Sequence, residues 1–261
     1  MSGMDWQSSA LTRALDRWLE EDIGRGDLTA SALQRKHGHA HWIAKQPGCF
    51  CGGPLVQQLF HRLDPEVSVH LLRDDGAAVE VGDRLLDLEG PATALVAGER
   101  TALNLAMRLS GIATATAELV AQLQGTGVRL ADTRKTTPGL RLLEKYAVRC
   151  GGGINHRMGL DDAAMLKENH IAWAGGITMA IAAVRSSAPW PARVIVEAET
   201  EAQATEAVQA GADGVLLDEF TPTQLIALVP RLRELSSRGV VLEASGVQPE
   251  ELKAYAASGI D

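Results

Sequence analysis

The second half of the chain carries five basic side chains at short intervals: Arg134, Lys135, His156, Arg157 and Lys167. Guanidinium and ammonium groups donate charge-assisted hydrogen bonds to carboxylates and phosphates, and the threonines around the first two, Thr133 among them, add neutral donors. Because the whole chain has a net charge of −8, this local positive charge predicts a site for a small polyanionic ligand. The alternatives are a solvated basic turn at residues 134–135 and a flexible lid at the three glycines that precede Ile154.

Lys167 directly follows the apolar run 163–166. A lysine at the end of a buried strand is costly without an anion, so we expect Lys167 to bind one. Glu197 and Asp218 follow the next two apolar runs. Two neighbouring carboxylates could hold ribose hydroxyls or Mg²⁺ with its waters, and the alternative is that each caps a helix. Ser245 and Gly246 precede a helix predicted over residues 249–257, which would suit a phosphate at its N-terminus.

These residues follow a regular alternation of apolar strand-like runs and helix-like segments. The predicted strands are 128–131, 163–166, 194–196, 215–217 and 240–242, and the residues that follow them are Asp132, Lys167, Glu197, Asp218 and Glu243. In parallel α/β sheets and barrels the loops after the strands converge at one edge. The alternation therefore predicts a site at the carboxyl edge of a parallel sheet.

The first half of the chain has a different pattern. Apolar spacing predicts a helix over residues 9–20, and short runs broken by glycine and proline between residues 40 and 97 predict a small sheet with a helix over residues 54–63. A long helix over residues 97–123 links the two regions. The chain thus divides into two parts with different architectures.

Composition excludes several classes of protein. The 33 acidic residues outnumber the 25 basic ones, so we expect neither nucleic acid nor an anionic membrane as a partner. No apolar run approaches the roughly 20 residues that span a bilayer. The cysteines, Cys49, Cys51 and Cys150, are odd in number, which favours a reducing cytoplasm over a disulfide framework.

Two other patterns are weaker. His37, His39 and His41 alternate as on one strand face, but no fourth ligand accompanies them, and we interpret them as a solvated face. Cys49 and Cys51 lack the second cysteine pair of a zinc site and do not have the C-x-x-C spacing. Neither pattern enters the predicted function.

At these motifs the sequence resembles the quinolinate phosphoribosyltransferase family over nearly its whole length. The matching segments are residues 21–29, 98–104, 109–114, 132–136, 151–157, 166–170, 196–197, 217–218 and 245–246. The resemblance implies an α/β fold: an N-terminal α/β sandwich domain at residues 1–112, and an incomplete, open α/β barrel of the type II phosphoribosyltransferase kind at residues 113–261.

The resemblance also implies an activity. Quinolinate and phosphoribosyl pyrophosphate would react to give nicotinate mononucleotide, pyrophosphate and CO₂, a step of NAD biosynthesis. Lys135, Lys167, Glu197 and Asp218 would be catalytic, and Glu197 and Asp218 would also hold Mg²⁺. The residues implied to bind substrate are Arg100, Thr133, Arg134, Lys135, His156, Arg157, Lys167, Glu197, Asp218, Ser245, Gly246 and Val247.

The assembly implied by the resemblance is a cytoplasmic homodimer, or a higher oligomer, with shared active sites. Arg100 would reach into the site of the partner subunit. No organic cofactor is expected, and Lys167 is interpreted as an electrostatic clamp.

Three alternatives stay open. One is the related pyrophosphorylase-like protein of molybdate operons, against which Lys167 in the segment 166–170 argues. Another is a Schiff-base aldolase barrel, and the third is a non-catalytic descendant of the family.

A further expectation concerns the C-terminal end of the chain. Residues 258–261 close a helix as residues 210–213 do before the run 215–217, yet no strand follows them. We therefore expect the chain to be truncated at Asp261, and the natural protein to continue with a strand, a second phosphate loop and a helix. Without that strand the sheet edge would be exposed.

Overall fold

The computed structural model describes residues 4–261, which form two compact units. The first unit holds the described residues up to Glu118 together with Lys135–Ile154, and the second holds Leu119–Arg134 together with Asn155–Asp261. The predicted domain boundary between residues 112 and 113 stays a prediction. Each unit has its own apolar core.

The helices of the first unit follow from apolar spacing. Helix α1, Ser9–Ile23, buries leucines at intervals of four residues, which place them on one face, and it ends at a glycine with a left-handed φ of 54°. Helix α3, Gly53–Leu63, buries Leu55, Leu59 and Phe60. The other helices are α2 at Ala30–Leu33, α4 at Ala92–Gln122 and α5 at Arg141–Cys150. The helices predicted over residues 9–20, 54–63 and 97–123 are thus confirmed.

The strands of the first unit form two small antiparallel sheets. Strands β1 (His37–Ile43), β5 (Arg84–Pro91) and β3 (Ser68–Leu71) pair in the order β1-β5-β3. Strands β2 (Gly48–Cys49) and β4 (Ala78–Val79) form a separate pair. The three histidines of β1 are exposed, so their interpretation as a solvated face is confirmed.

The second unit contains a four-stranded parallel sheet. Its strands are β6 (Ala164–Leu166), β7 (Val194–Ala198), β8 (Gly214–Asp218) and β9 (Val241–Ser245), and they lie in sequence order. The helices are α6 (Glu168–Ala174), α7 (Ile177–Ser187), α8 (Glu201–Gln209), α9 (Pro222–Leu235) and α10 (Leu252–Ala256). This alternation of parallel strands and helices confirms the predicted α/β class.

Apolar runs make the middle strands of this sheet. Val194, Val196, Val215 and Leu217 are almost completely buried, as expected for parallel strands covered on both faces. The helices α8 and α9 are capped by Thr200 and Thr221, whose side chains accept from backbone N–H groups three residues later. The caps, two and three residues after the ends of β7 and β8, mark where α8 and α9 begin.

One predicted element is wrong, and another differs in helix type. Residues 128–131 do not form a strand; the segment follows two glycines with positive φ, and Arg129 donates its backbone N–H to the carbonyl of Asp261. The helix predicted over residues 249–257 is confirmed in its extent, but its first turn, Pro249–Glu251, is 3₁₀ and only the five residues of α10 are α-helical. A helix this short offers little dipole for a phosphate.

Within residues 4–261, no helix combines the length and the apolar character needed to cross a membrane.

Candidate active site

Polar side chains lie at the carboxyl ends of all four parallel strands of the second unit. Lys167 follows β6, Glu197 is near the end of β7, and Asp218 and Ser245 are the last residues of β8 and β9. Asp218 pairs in register with Ser245, so these two lie side by side. The structure therefore brings together four of the predicted site residues at one edge.

Lys167 and Glu197 form an ion pair between neighbouring strand ends. The Nζ atom of Lys167 donates to Oε2 of Glu197. The side chain of Glu197 is 14% exposed and that of Lys167 is 47% exposed. Lys167 follows the end of β6 as predicted, and its side chain is half-exposed, which lowers the cost of its charge there. Its anion in this structure is Glu197.

Asp218 has a different partner. The hydroxyl of Ser245 donates to Oδ1 of Asp218, and Gly246 follows with a φ of 75°, a left-handed conformation that favours glycine. Neither Asp218 nor Glu197 caps a helix, since threonines occupy the N-cap positions of α8 and α9. The alternative of a capping role is thus wrong for both acids.

His156 is held in place by the carboxylate of Asp132. Oδ1 of Asp132 accepts the backbone N–H of His156 at 2.8 Å, and Oδ2 accepts from Asn155 at 2.7 Å. Nδ1 of His156 accepts the backbone N–H of Arg157 at 2.8 Å, so the ring proton lies on Nε2, which is 3.3 Å from Oε2 of Glu243. The imidazole is therefore fixed in orientation and in tautomer.

Two guanidinium groups lie near each other in the same unit. Nη1 of Arg157 donates to the carbonyl of Ala163 at 3.0 Å, just before β6. Burial, together with the positive charge of Arg134, lowers the pKa of Arg157. Two like charges held partly out of water favour an anion beside them. This pair supports the predicted anion site.

The other predicted residues have different positions. Thr133 and Gly246 are exposed, and Val247 packs partly against the core of the second unit. Lys135 and Arg100 belong to the first unit, where both are exposed, and their part in the site stays a prediction. In the sequence, Asp132 and Glu243 are recognisable only as residues that follow predicted strands, and Asn155 carries no signal of its own. Their roles depend on a loop contact over more than 20 residues of sequence, which no local pattern reveals.

The sequence matches two family models along most of its length. Residues 112–261 match the model described as quinolinate phosphoribosyl transferase, C-terminal domain, and residues 27–110 match the N-terminal domain of the same enzyme. Both domains of the family are therefore represented in this chain.

Related sequences and solved structures of the same family are also similar to this chain. A probable nicotinate-nucleotide pyrophosphorylase (carboxylating) of Synechocystis sp. is 42% identical over 249 residues, or 95% of this chain and 84% of that protein. The nicotinate-nucleotide pyrophosphorylase (carboxylating) of Homo sapiens is 36% identical over 253 residues, with coverages of 96% and 84%. The structure of the nicotinate-nucleotide pyrophosphorylase from Francisella tularensis has a TM-score of 0.90 at 36% identity, and the match covers 97% of this chain and 89% of that one.

The parallel sheet, with basic and acidic side chains along its carboxyl edge, belongs to the α/β class of folds, in which ligands bind at that edge. The matches narrow this class: the chain belongs to the quinolinate phosphoribosyl transferase family.

Proposed function

We propose that this chain transfers the phosphoribosyl group of phosphoribosyl pyrophosphate to quinolinate with decarboxylation, which gives nicotinate mononucleotide, pyrophosphate and CO₂. The observation that carries the proposal is the row of polar side chains at the ends of β6 to β9, in a chain that has both domains of the family. That row provides carboxylates for the ribose and one cation, Lys167, and Arg134, His156 and Arg157 of the same unit add basic groups for the anionic substrates.

Quinolinate, with its two carboxylates, fits the cationic residues. Arg134 and Arg157 are close enough for the charge of one to affect the other, and a carboxylate between them would relieve their repulsion. His156 and Lys167 add donors, and we place Lys135 near quinolinate or the departing pyrophosphate. Charge-assisted bonds of this kind are each worth about 1.5 to 3 kcal/mol.

The chemical steps need preorganised charge more than a nucleophilic side chain. The ring nitrogen of quinolinate forms a bond to the anomeric carbon while the bond to pyrophosphate breaks, so positive charge develops on the sugar and negative charge on the leaving group. The bond to the 2-carboxylate then breaks, its electron pair stays on the ring carbon beside the cationic nitrogen, and a proton replaces CO₂. Orienting and desolvating that carboxylate is the role left to the protein.

Lys167 acts in this scheme as an electrostatic clamp. Its ammonium group already donates to the carboxylate of Glu197, and a protonated amine held in this way is not a nucleophile. The ion pair therefore favours phosphoribosyl transfer over the Schiff-base alternative.

Mg²⁺ is proposed as the metal. Glu197, Asp218 and the hydroxyl of Ser245 offer the oxygen ligands that Mg²⁺ prefers, so the residues present fit the ion. When bound, it would offset the negative charge of the diphosphate. Lys167 competes for Glu197, whereas Asp218 is bonded only to a neutral hydroxyl among its described hydrogen bonds.

We further propose that the protein is a cytoplasmic homodimer with shared active sites. The exposed position of Arg100 on α4 leaves its side chain accessible to a second subunit. The three cysteines are free, which supports a reducing compartment.

The test of the function is product formation by the purified chain. With quinolinate, phosphoribosyl pyrophosphate and Mg²⁺ we expect equal amounts of nicotinate mononucleotide and CO₂, and no product when either organic substrate is left out. Product from nicotinate but not from quinolinate would overturn the proposal. Borohydride trapping of a carbonyl substrate on Lys167 would instead establish the aldolase alternative.

A further inference from the structure

The first unit contains a group of buried cysteines that the proposed reaction does not use. Cys51 and Cys150 are 0% and 7% exposed, and Cys49 is 6% exposed. Cys51 lies just after β2, while Cys150 is the last residue of α5. Segments about 100 residues apart in sequence thus bring their thiols to one place.

A carboxylate completes this group. Sγ of Cys51, Sγ of Cys150 and a carboxylate oxygen of Asp75 all lie within 4.8 Å of one another. A tetrahedral zinc site with bonds of about 2.3 Å to sulfur and about 2.0 Å to oxygen places its ligand atoms roughly 3.5 to 3.8 Å apart. Each ligand atom would move by about 1 Å or less to reach that geometry.

Backbone contacts hold two of the ligands in position. Cys51 donates its backbone N–H to Oγ of Ser110 at 2.9 Å, and the same hydroxyl donates back to the carbonyl of Cys51 at 3.1 Å. Oδ1 of Asp75 accepts the backbone N–H groups of Gly52 and Gly53, each at 2.9 Å. The positions of Cys51 and Asp75 are therefore set before any ligand binds.

The other oxygen of Asp75 faces the thiols. Oδ2 accepts the hydroxyl of Tyr146 at 2.8 Å and lies 3.9 Å from Sγ of Cys51. A partner that hydrogen-bonds a ligating carboxylate fixes its orientation and raises the affinity of metal sites. Gly76 allows the loop to pass close by, because a Cβ there would lie 3.1 Å from the carbonyl of Cys150 and its φ is 92°.

We propose that Cys51, Cys150 and Asp75 form a binding site for one zinc-class ion, a d¹⁰ cation that accepts thiolate and carboxylate ligands. On binding, each thiol loses its proton to solvent, the two sulfurs and one oxygen each form a bond to the ion, and nothing is oxidised. The fourth position is filled by water or by the hydroxyl of Tyr146. The sulfur ligands select against Mg²⁺, which prefers oxygen.

The site would connect three segments of the first unit. Cys51 precedes α3, Asp75 lies in the loop before β4, and Cys150 ends α5. An ion bound to all three stabilises the folded unit, because the unfolded chain does not hold these ligands together. The proposed role is therefore structural and separate from the Mg²⁺ of the reaction.

The experiment is a titration of the reduced, metal-free 261-residue chain with Cd²⁺, followed by the ultraviolet sulfur-to-metal charge-transfer band. We expect the band to saturate at one ion per chain and to persist in excess Mg²⁺. Cys51→Ala and Cys150→Ala should abolish it, whereas the matched control Cys49→Ala should keep it, since Cys49 is not among the three ligands. Zn²⁺ should raise the Tm of the wild type and of Cys49→Ala only.

A second measurement does not depend on the folding of the variants. X-ray absorption of the zinc-loaded wild type should show two sulfur neighbours and the rest oxygen. A band that fails to appear, or one that survives Cys51→Ala, would overturn the proposal, as would a zinc shell without sulfur. Loss of the band in Cys49→Ala would overturn this choice of ligands.

Discussion

Glu197 and Asp218, the two carboxylates at the carboxyl edge of the parallel sheet, have different partners. We infer from this difference that they have different roles. Glu197 is neutralised by Lys167, while Asp218 accepts from the neutral hydroxyl of Ser245. A carboxylate that keeps its net negative charge attracts a cation more strongly than one already paired. We therefore expect Asp218, rather than Glu197, to be the main ligand of the proposed Mg²⁺ and of the ribose.

We expect Asp218→Asn to raise the KM for phosphoribosyl pyrophosphate by about tenfold to 150-fold, since it removes a charged contact worth about 1.5 to 3 kcal/mol. The Kd of quinolinate, measured by calorimetry, should stay nearly unchanged. Glu219→Gln is the matched control, because Glu219 is the exposed neighbour with the same charge change. Equal damage to both ligands would indicate a structural role for Asp218.

A second prediction at the scale of single residues concerns the carboxylate of Asp132, which positions His156. Both of its oxygens accept from N–H donors of residues 155 and 156, so the amide of Asp132→Asn would turn an N–H group toward one of them. We expect a cost of about 1 to 3 kcal/mol and a weaker affinity for quinolinate, read by calorimetry. Asp161→Asn, at an exposed position shortly after His156 in sequence, should bind normally. Normal binding by Asp132→Asn would show that His156 does not need this anchor.

At the element scale, an ion pair joins the two helices α4 and α5 within the first unit. Arg108 on α4 donates to Glu144 on α5 at 2.7 Å, and Glu144 also accepts the backbone N–H of Thr137 at 3.0 Å. Burial raises the pKa of Glu144, but the hydrogen bonds from Arg108 and Thr137 outweigh it and leave that pKa below its usual value of 4.5. Glu144 thus stays charged in the folded protein.

From the lowered pKa of Glu144 we predict how the contribution of this residue to the free energy of unfolding changes with pH. Stability from this group is fully present above the unfolded pKa and is lost as the pH falls through the lower folded pKa. Glu144→Gln should cost about 1 to 3 kcal/mol near pH 7, and its deficit relative to wild type should shrink below about pH 4.5. Urea unfolding of both proteins at several pH values measures the difference in their free energies of unfolding. A difference that grows toward acid pH would contradict the prediction.

The helices and strands that are predicted correctly from the sequence are those with a clear local pattern of apolar residues. The runs at residues 194–196 and 215–217 are uninterrupted apolar stretches that alternate with helix-like segments, so these strands could be predicted. Residues 128–131 are apolar apart from Arg129, but a strand needs hydrogen bonds to a neighbouring strand, and composition does not show whether that neighbour exists. The group of Cys51, Asp75 and Cys150, with two buried thiols and a half-buried carboxylate, was missed for the same reason, since its ligands come from three separate segments.

At the scale of the whole molecule, the fold and the activity were predicted from ordered motifs spread along nearly the full chain. The contacts inside the site were not, because side-chain pairs such as Lys167 with Glu197 depend on strand order and register. Whether subunits share a site is also a property of the assembly rather than of local sequence.

A mixing experiment tests the shared site. Arg100→Ala and Lys167→Ala chains should each be inactive, and their mixture should regain up to roughly one quarter of wild-type activity, because half of randomly exchanged dimers are mixed and each holds one complete site of two. A chain with both substitutions, mixed with either single variant, should regain nothing. No recovery, with subunit exchange shown by mass spectrometry, would place the whole site within one chain.

The central claim is that the cationic residues of the second unit bind quinolinate, and calorimetric titration with quinolinate tests it most directly. We expect Arg134→Ala and Lys167→Ala each to raise the Kd about tenfold to 150-fold, in line with about 1.5 to 3 kcal/mol per charged bond. Arg185→Ala is the control, because Arg185 pairs with Asp213 before the start of β8, at the opposite edge of the sheet, and should leave the Kd unchanged. Unchanged quinolinate binding in both Arg134→Ala and Lys167→Ala would contradict the account.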